Sequence, residues 1–420
     1  MLRFAAKRAV TAALKHPRKP LPTVRSYATD GRDADSVSLQ MINYALNLAR
    51  SQKSGESYAQ ALLVLEQGLS NLRRVDSAHE DGVGMVLLAM STILAERGEF
   101  GDAIEKLQEV VDLERSSLVV KVAAWEGLVG LHLETGQDVT SSVPADECLQ
   151  LLKNTPKDES STFKALHLRA NAVKGLADLV TGDLTSGNSY FGDNTSFESQ
   201  ETRCCTGNVA LSHGEFLHAS GKLSAAEEFY QKALKASETK DFSDATVLAA
   251  GNMVSEKVSL GASCALGQLL THLGNFQEAE EILTKALTKA ETHFGSCHPN
   301  VGVVLTCIAM MFGHKARLER SSSLLIQEGL YRRALDLLKA PSLDTEVTDM
   351  HVDKRDIVAL ARGGYAQTLS VQQYRKEEGE RMRKWAESIW RNCRLSLAEA
   401  LEISEPSKVT VIDARINRVI

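Results

Sequence analysis

Aromatic residues and prolines are scarce in this sequence: aromatics make up 5% of the 420 residues, and there are 8 prolines. Strands favour aromatic and β-branched side chains, whereas close-packed helices favour alanine and leucine, which are abundant here. No stretch approaches 18 consecutive apolar residues, so we expect no transmembrane helix. The composition therefore favours a soluble, all-α chain.

Cysteine spacings typical of metal or redox sites are also missing. The seven cysteines are odd in number, and none belongs to a CxxC motif. This usage favours structural thiols in a reducing compartment over a disulfide framework. The adjacent Cys204 and Cys205 leave a redox-active pair open as the alternative to two buried helix thiols.

The first 27 residues contain no aspartate or glutamate and carry seven lysines and arginines. Their apolar and basic residues separate onto two faces of a short helix, which is the composition of a transit peptide. The following Arg25-Ser26-Tyr27-Ala28 resembles a mitochondrial processing site with a cut after Tyr27. We predict a cleavable presequence and a mitochondrial, matrix location. A basic arm on a cytosolic protein and a chloroplast transit peptide are the alternatives.

Removal of the presequence would make the chain strongly acidic. It would retain 41 basic against 54 acidic residues, a formal charge of about −13. An acidic body binds a phosphate backbone poorly, so we expect no nucleic-acid partner. Organellar RNA binding by a helical-repeat protein remains the alternative function.

Three segments share one helix–turn–helix pattern, in which a glycine ends the first helix, a large apolar residue follows, and alanines mark the second helix. The copies are Ala210, Gly214, Leu217, Gly221, Leu223, Ala226, Tyr230 and Ala233; Ser263, Leu266, Gly267, Leu270, Gly274, Phe276, Ala279, Leu283 and Ala286; and Leu87, Met90, Ser91, Leu94, Gly98, Phe100, Ala103, Leu107 and Val110. This pattern resembles the tetratricopeptide repeat. The resemblance implies an α-solenoid of antiparallel helix pairs that binds protein partners.

A longer variant of the repeat covers residues 263–340. There, His298-Pro299-Asn300-Val301 resembles the element that opens each first helix in the repeats of kinesin light chains. The turn at 315–323 departs from that family by several extra residues, with Ala316 in place of the usual glycine. Binding of motor cargo is therefore not implied.

The predicted organisation has four parts. These are the presequence at 1–27, a flexible linker at 28–37, the solenoid at 38–403 with an exposed loop near 182–202, and a tail at 404–420 that is either a terminal strand or frayed. We expect a second helix near 144–152 to be displaced by an insertion. We also expect helices at 354–372 and 374–403, the latter capping the solenoid.

Catalytic motifs are not evident. The sequence has neither GxxxxGK[ST] nor HExxH, which argues against a phosphate-binding loop and a zinc peptidase site. His213 and His218 are five residues apart, and we interpret them as packed or surface histidines. His293, Cys297 and His298 lie close together, but the repeat resemblance already accounts for them. We therefore predict no enzyme activity, cofactor or metal.

The first helix of each pair lines the concave face in proteins of this family. The register places these residues on that face: Leu88, Thr92, Glu126, Leu211, Glu215, His218, Cys264, Gln268, Thr271, Thr306 and Met310. They include none of the lysines and asparagines with which chaperone-binding relatives clamp a terminal carboxylate. We predict a groove that binds mitochondrial protein partners, as in an assembly factor or accessory subunit. Any membrane association would be peripheral, through a complex.

Overall fold

The computed structural model describes residues 31–74, 80–156, 160–191, 206–238, 248–320, 323–344, 354–402 and 409–420, with side chains from residue 37 onward. The predicted presequence and its processing site at Arg25, Tyr27 and Ala28 lie outside the described residues.

Within these ranges the chain forms seventeen α-helices and one two-stranded hairpin. Their bounds are α1 (Gly31–Gln52), α2 (Gly55–Leu72), α3 (Asp81–Arg97), α4 (Phe100–Val111), α5 (Leu118–Glu134), α6 (Asp138–Asn154), α7 (Ser161–Val180), α8 (Leu184–Phe191), α9 (Gly207–Ala219), α10 (Leu223–Glu238), α11 (Ser255–His272), α12 (Phe276–Phe294), α13 (Pro299–Glu319), α14 (Leu324–Leu337), α15 (Arg355–Ser370), α16 (Lys376–Ile389), α17 (Leu397–Leu401), β1 (Ile412–Asp413) and β2 (Arg418–Val419).

Consecutive helices from α1 to α16 pack as antiparallel pairs, and each pair also packs on the next. The first helices α3, α5, α9, α11 and α13 are buried on nearly every face. The second helices α4, α10 and α12 bury one apolar stripe and expose the rest, as expected for the outer layer. A single pair leaves its apolar face uncovered, so the pairs stack, and the predicted all-α solenoid is confirmed.

Glycine ends the first helix in each of the three clear repeats, as predicted. Gly98, Gly221 and Gly274 have φ angles of 82°, 76° and 80°, which most other residues adopt only with strain. In the first of these turns, the Glu99 amide donates to the Leu94 carbonyl, closing the helix end.

Close approach of the two helices within a pair depends on a second glycine. A Cβ atom on Gly267 would lie 2.5 Å from Leu283 Cγ, and Leu283 is fully buried in α12. We expect Gly267→Val to lower the free energy of unfolding by about 2–3 kcal/mol through overpacking, measured by urea denaturation. Gly101→Ala is the control: nothing lies within 4 Å of that position, and a gain of roughly 0.5–1 kcal/mol is expected. Equal changes in the free energy of unfolding for the two variants would contradict the close packing of Gly267 against Leu283.

Two segments predicted to lack structure are helical instead. Helix α1 begins at Gly31, inside the predicted linker, and α8 occupies 184–191 of the predicted loop. Asp183 caps α8 by accepting hydrogen bonds from the amides of Thr185 and Ser186. Residues 192–205 lie outside the described part of the chain.

Two helix boundaries also differ from the prediction. Helix α6 is continuous through Pro144, so no insertion displaces it. The predicted helix at 374–403 is broken, because α16 ends at Ile389 and a turn follows. In that turn Trp390 Nε1 donates to the Leu395 carbonyl at 2.7 Å, and α17 then starts with a capping box at Ser396.

Helix α13 is long and apolar enough to cross a membrane by length and composition alone. However, 67% of its apolar window is buried within the fold. It packs against α11, α12, α14 and α15, which is the environment of a solenoid core helix.

The superhelix closes on itself near its first pair. Arg50, at the end of α1, pairs with Glu96 of α3 at 2.7 Å and with Glu256 of α11 at 2.9 Å. Burial alone would raise the pKa of Glu96. The nearby Arg50 charge helps to outweigh burial, and the pKa of Glu96 falls to about 2. The early and late repeats therefore surround a common interior.

The segment at 409–420 is not frayed: it enters that interior. Ile412 pairs with Val419 and Asp413 with Arg418 in a short antiparallel hairpin, and every residue of the segment is buried. Of the two alternatives for the tail, the terminal strand was therefore closer to the structure than the frayed segment. Its position at the centre of the superhelix was not predicted.

Candidate partner-binding groove

The predicted groove residues all lie on first helices, as expected from their register. They belong to α3, α5, α9, α11 and α13, and none is more than 8% exposed: Leu88, Thr92, Glu126, Leu211, Glu215, His218, Cys264, Gln268, Thr271, Thr306 and Met310. In this structure these residues are buried within the fold, and other parts of the same chain lie over several of them. Whether these residues contact a partner stays a prediction.

In the N-terminal half, the covering segment is 248–254. Its Gly251 amide donates to Thr92 Oγ1 at 3.0 Å. The Asn252 side chain donates to Glu134 Oε2 at 2.9 Å. Thr92 and Glu134 come from α3 and α5, so the segment is held by two successive first helices.

Glu126 and Arg169 form a buried ion pair beneath this segment. The guanidinium donates to both carboxylate oxygens, at 3.0 and 2.6 Å, and its Nη2 also reaches the Leu248 carbonyl at 2.6 Å. Burial lowers the pKa of Arg169, but the adjacent Glu126 carboxylate outweighs it and raises that pKa overall. Glu126 thus holds Arg169, and Arg169 in turn holds the chain at Leu248.

In the C-terminal half, Gln268 binds the main chain of the hairpin. Its Oε1 accepts from the Ile412 amide at 2.8 Å, and its Nε2 donates to the Ile412 carbonyl at 3.1 Å. A side-chain amide that satisfies both main-chain groups of one residue acts as a neighbouring strand would. The contact recognises an extended chain independently of its side chains.

Arg415 of the hairpin tip inserts between two carboxylates and an amide. Its Nη2 lies 3.0 Å from Glu215 and 2.9 Å from Asp413, and its Nη1 lies 3.0 Å from Asn208 Oδ1. Burial and the nearby Asp413 charge raise the pKa of Glu215 well above its usual range, and Arg415 only partly offsets this. The three ionisable groups are at most 1% exposed, so they depend on one another for stability.

The second arginine of the hairpin contacts the start of α6. Arg418 donates to both oxygens of Asp138, at 2.7 and 2.9 Å. Next to it, Asn417 donates to Glu134 Oε1 at 2.6 Å and to Asn300 Oδ1 at 3.1 Å. None of these residues was among the predicted groove residues, although an acid such as Glu134 at the end of an apolar helix signals a buried partner.

His218 belongs to a stack of histidines from three successive first helices. Its Nδ1 lies 3.0 Å from the Tyr230 hydroxyl and its Nε2 lies 2.9 Å from His272 Nδ1, while the rings of His272 and His314 are 6.1 Å apart. Burial disfavours the imidazolium form and lowers the pKa of each ring, to about 4 for His272. These rings are neutral structural groups at neutral pH.

The remaining predicted groove residues stabilise the helices on which they lie. The hydroxyls of Thr271 and Thr306 donate to the carbonyls of Gly267 and Gly302, four residues earlier in the same helix. Apolar packing accounts for Leu88, Leu211, Cys264 and Met310.

The other histidines that the sequence singled out have structural surroundings. The His213 ring packs on Phe191 and Phe229, with centroids 5.2 and 4.0 Å away. His298 caps α13, its Nδ1 accepting from the Asn300 amide. Within the described ranges, no three or more His, Cys, Asp or Glu side chains form a group that could hold a metal.

Family profiles described as tetratricopeptide repeat match residues 209–240, which correspond to α9 and α10, and residues 261–300, which include α12 and most of α11. The chain therefore contains tetratricopeptide repeats, whose architecture is that of a protein-interaction scaffold. A search of curated proteins finds no match.

Three solved structures are similar in part. BtubC (BKLC) from P. vanneervenii is 14% identical with a TM-score of 0.39, covering 61% of this chain and 90% of that one. A signal transduction ATPase with numerous domains and a tetratricopeptide repeat sensor, from Pyrococcus horikoshii, is 13% identical with a TM-score of 0.39, covering 86% and 53%. A Rap protein complexed with competence and sporulation factor is 11% identical with a TM-score of 0.44, covering 87% and 99%.

Proposed function

We propose that this protein is a non-catalytic scaffold of mitochondria that binds other proteins, as an assembly factor or accessory subunit of a mitochondrial complex. The proposal rests on the contacts that the concave face makes with the segments of the chain that cover it. Gln268 and Arg169 hydrogen-bond to main-chain groups of Ile412 and Leu248, Thr92 accepts from the Gly251 amide at a short 3-10 turn, and Glu215 and Asp138 hold arginines. A surface built in this way suits the binding of an extended polypeptide.

The charge of the chain supports a protein rather than a nucleic-acid partner. Acidic side chains outnumber basic ones over the body of the sequence, and the polar groups facing the interior include several carboxylates. Neither feature suits a phosphate backbone. The mitochondrial part of the proposal rests on the composition of residues 1–27 and on the processing site that follows them.

One experiment tests location and partner together. The full-length chain with a C-terminal tag would be expressed in cells and followed by fractionation, and then by affinity purification and native gel electrophoresis. We expect it in mitochondria, shortened by cleavage after Tyr27, and co-migrating with a larger complex that resists ribonuclease.

Matched variants make this test specific. Arg25→Ala should abolish most of the cleavage after Tyr27, because it removes the arginine that the peptidase recognises. Arg18→Ala removes the same charge and should leave cleavage intact. A chain that stays in the cytosol at full length would refute the location. Salt-dependent RNA binding, with loss of the complex on ribonuclease treatment, would favour the RNA-binding alternative.

A further inference from the structure

The hairpin at 409–420 is held to a large extent through its main chain. Gln268 bonds to both main-chain groups of Ile412, and Asn392 Nδ2 donates to the Val419 carbonyl at 2.9 Å. Contacts of this kind require an extended backbone in the groove but do not require these particular residues. Other segments that form a hairpin can therefore satisfy them.

Side-chain recognition in the groove is concentrated on two arginines. Arg415 is received by Glu215 and Asn208, and Arg418 is received by both oxygens of Asp138. Such charge-assisted contacts with a planar guanidinium discriminate against lysine and against neutral side chains. The groove is thus selective for arginine at two positions three residues apart.

The fit of the hairpin is incomplete. Within the described residues, three buried polar atoms of the groove beside the hairpin have no hydrogen-bond partner: Glu215 Oε1, Asn300 Nδ2 and Arg394 Nε. Leaving a buried polar group unpaired is costly. A partner segment that supplies some of the missing hydrogen bonds gains binding free energy that the hairpin lacks.

We propose that the groove is a binding site for a partner segment that forms a short hairpin with two arginines three residues apart, one in its turn and one on its second strand, and that 409–420 occupies it in cis. The inference rests on the scaffold function proposed above and names the chemistry of the partner. Attachment to the same chain gives the hairpin a high effective concentration. A partner displaces it by making the bonds that the hairpin leaves open.

The test measures exchange of the hairpin on the full chain. A specific protease site inserted between residues 403 and 408 is cut after folding, so that every residue is still present but the covalent link is broken. A fluorescent peptide of residues 409–420 is then added, and its binding is followed by anisotropy. We expect at least tenfold tighter binding to the cut chain than to the uncut chain, because cutting removes the effective-concentration advantage.

The matched control is the same peptide carrying R415A and R418A. It should bind at least tenfold more weakly than the parent peptide if the arginine sockets provide the recognition. Equal binding of both peptides would overturn the proposed chemistry. A cut chain that loses its helical circular dichroism supports the proposal if the parent peptide restores it, and overturns the proposal if that peptide neither binds nor restores it.

Two further outcomes are informative. If the uncut chain forms dimers that the parent peptide dissociates, the occupant is the hairpin of a second copy, and the assignment to a partner protein is wrong. If the peptide fails to bind but the tagged protein still co-purifies with a mitochondrial complex, the scaffold function stands and this inference fails. If the peptide binds but the protein is not found in mitochondria, only the proposed location is wrong.

Discussion

Replacing Arg415 with alanine should lower the free energy of unfolding by about 3–5 kcal/mol, because it leaves two buried carboxylates without their cation. Glu215 and Asp413 are fully buried, and Arg415 lies within 3.0 Å of both. Glu215 can escape ionisation by taking up a proton, since its pKa is already raised by burial and by Asp413. That response limits the loss but does not restore the hydrogen bonds. Urea denaturation at pH 7.5 would measure the loss of unfolding free energy.

Two controls separate this effect from a general loss of charge. Arg383→Ala removes an arginine that pairs with Glu380 and Glu387 on the exposed face of α16, where a loss of at most about 1 kcal/mol is expected. The double variant Glu215→Leu with Arg415→Met removes one carboxylate together with the cation, and should lose less than Arg415→Ala alone. If Arg415→Ala and Arg383→Ala proved equally mild, the hairpin would not depend on this contact.

The helix pairs could be predicted from sequence because their determinants are local. Gly98, Gly221 and Gly274 end first helices within one turn of the residues that they close off, and the apolar spacing of each repeat lies within about 30 residues. Such signals are visible in a short window. The same glycine signal misled the prediction near 182–202, because a glycine also makes room for a large neighbour. A Cβ on Gly187, inside α8, would lie 3.2 Å from Phe216 Cε2.

The content of the groove could not be predicted in this way. Ile412 meets Gln268 across 144 residues, and Arg418 meets Asp138 across 280. The hairpin itself has too few alternating residues to give a strong strand signal. One clue was present: Glu215 lies in a helix that is buried on nearly all faces, so it required a partner from elsewhere.

The second large effect expected is a steep loss of stability in mild acid. Five histidines are packed in the interior as neutral rings, and burial is the largest cause that lowers the pKa of each one: His213, His218, His272, His298 and His314. In the unfolded chain these rings titrate near pH 6.5. As the pH falls below that value, the unfolded chain binds protons that the folded chain does not, so folding is progressively disfavoured.

Between pH 7.5 and 5.5 each such histidine should remove about 1.4 kcal/mol of unfolding free energy, or roughly 7 kcal/mol for five acting independently. Many domains have a total stability of about 5–15 kcal/mol, so we expect urea midpoints to fall sharply over this range. His213→Phe, which keeps the packing against Phe191 and Phe229, should reduce the pH dependence by about one proton. A midpoint that is constant from pH 7.5 to 5.5 would show that the folded chain takes up these protons, and hence that the rings are not held in a water-excluded interior.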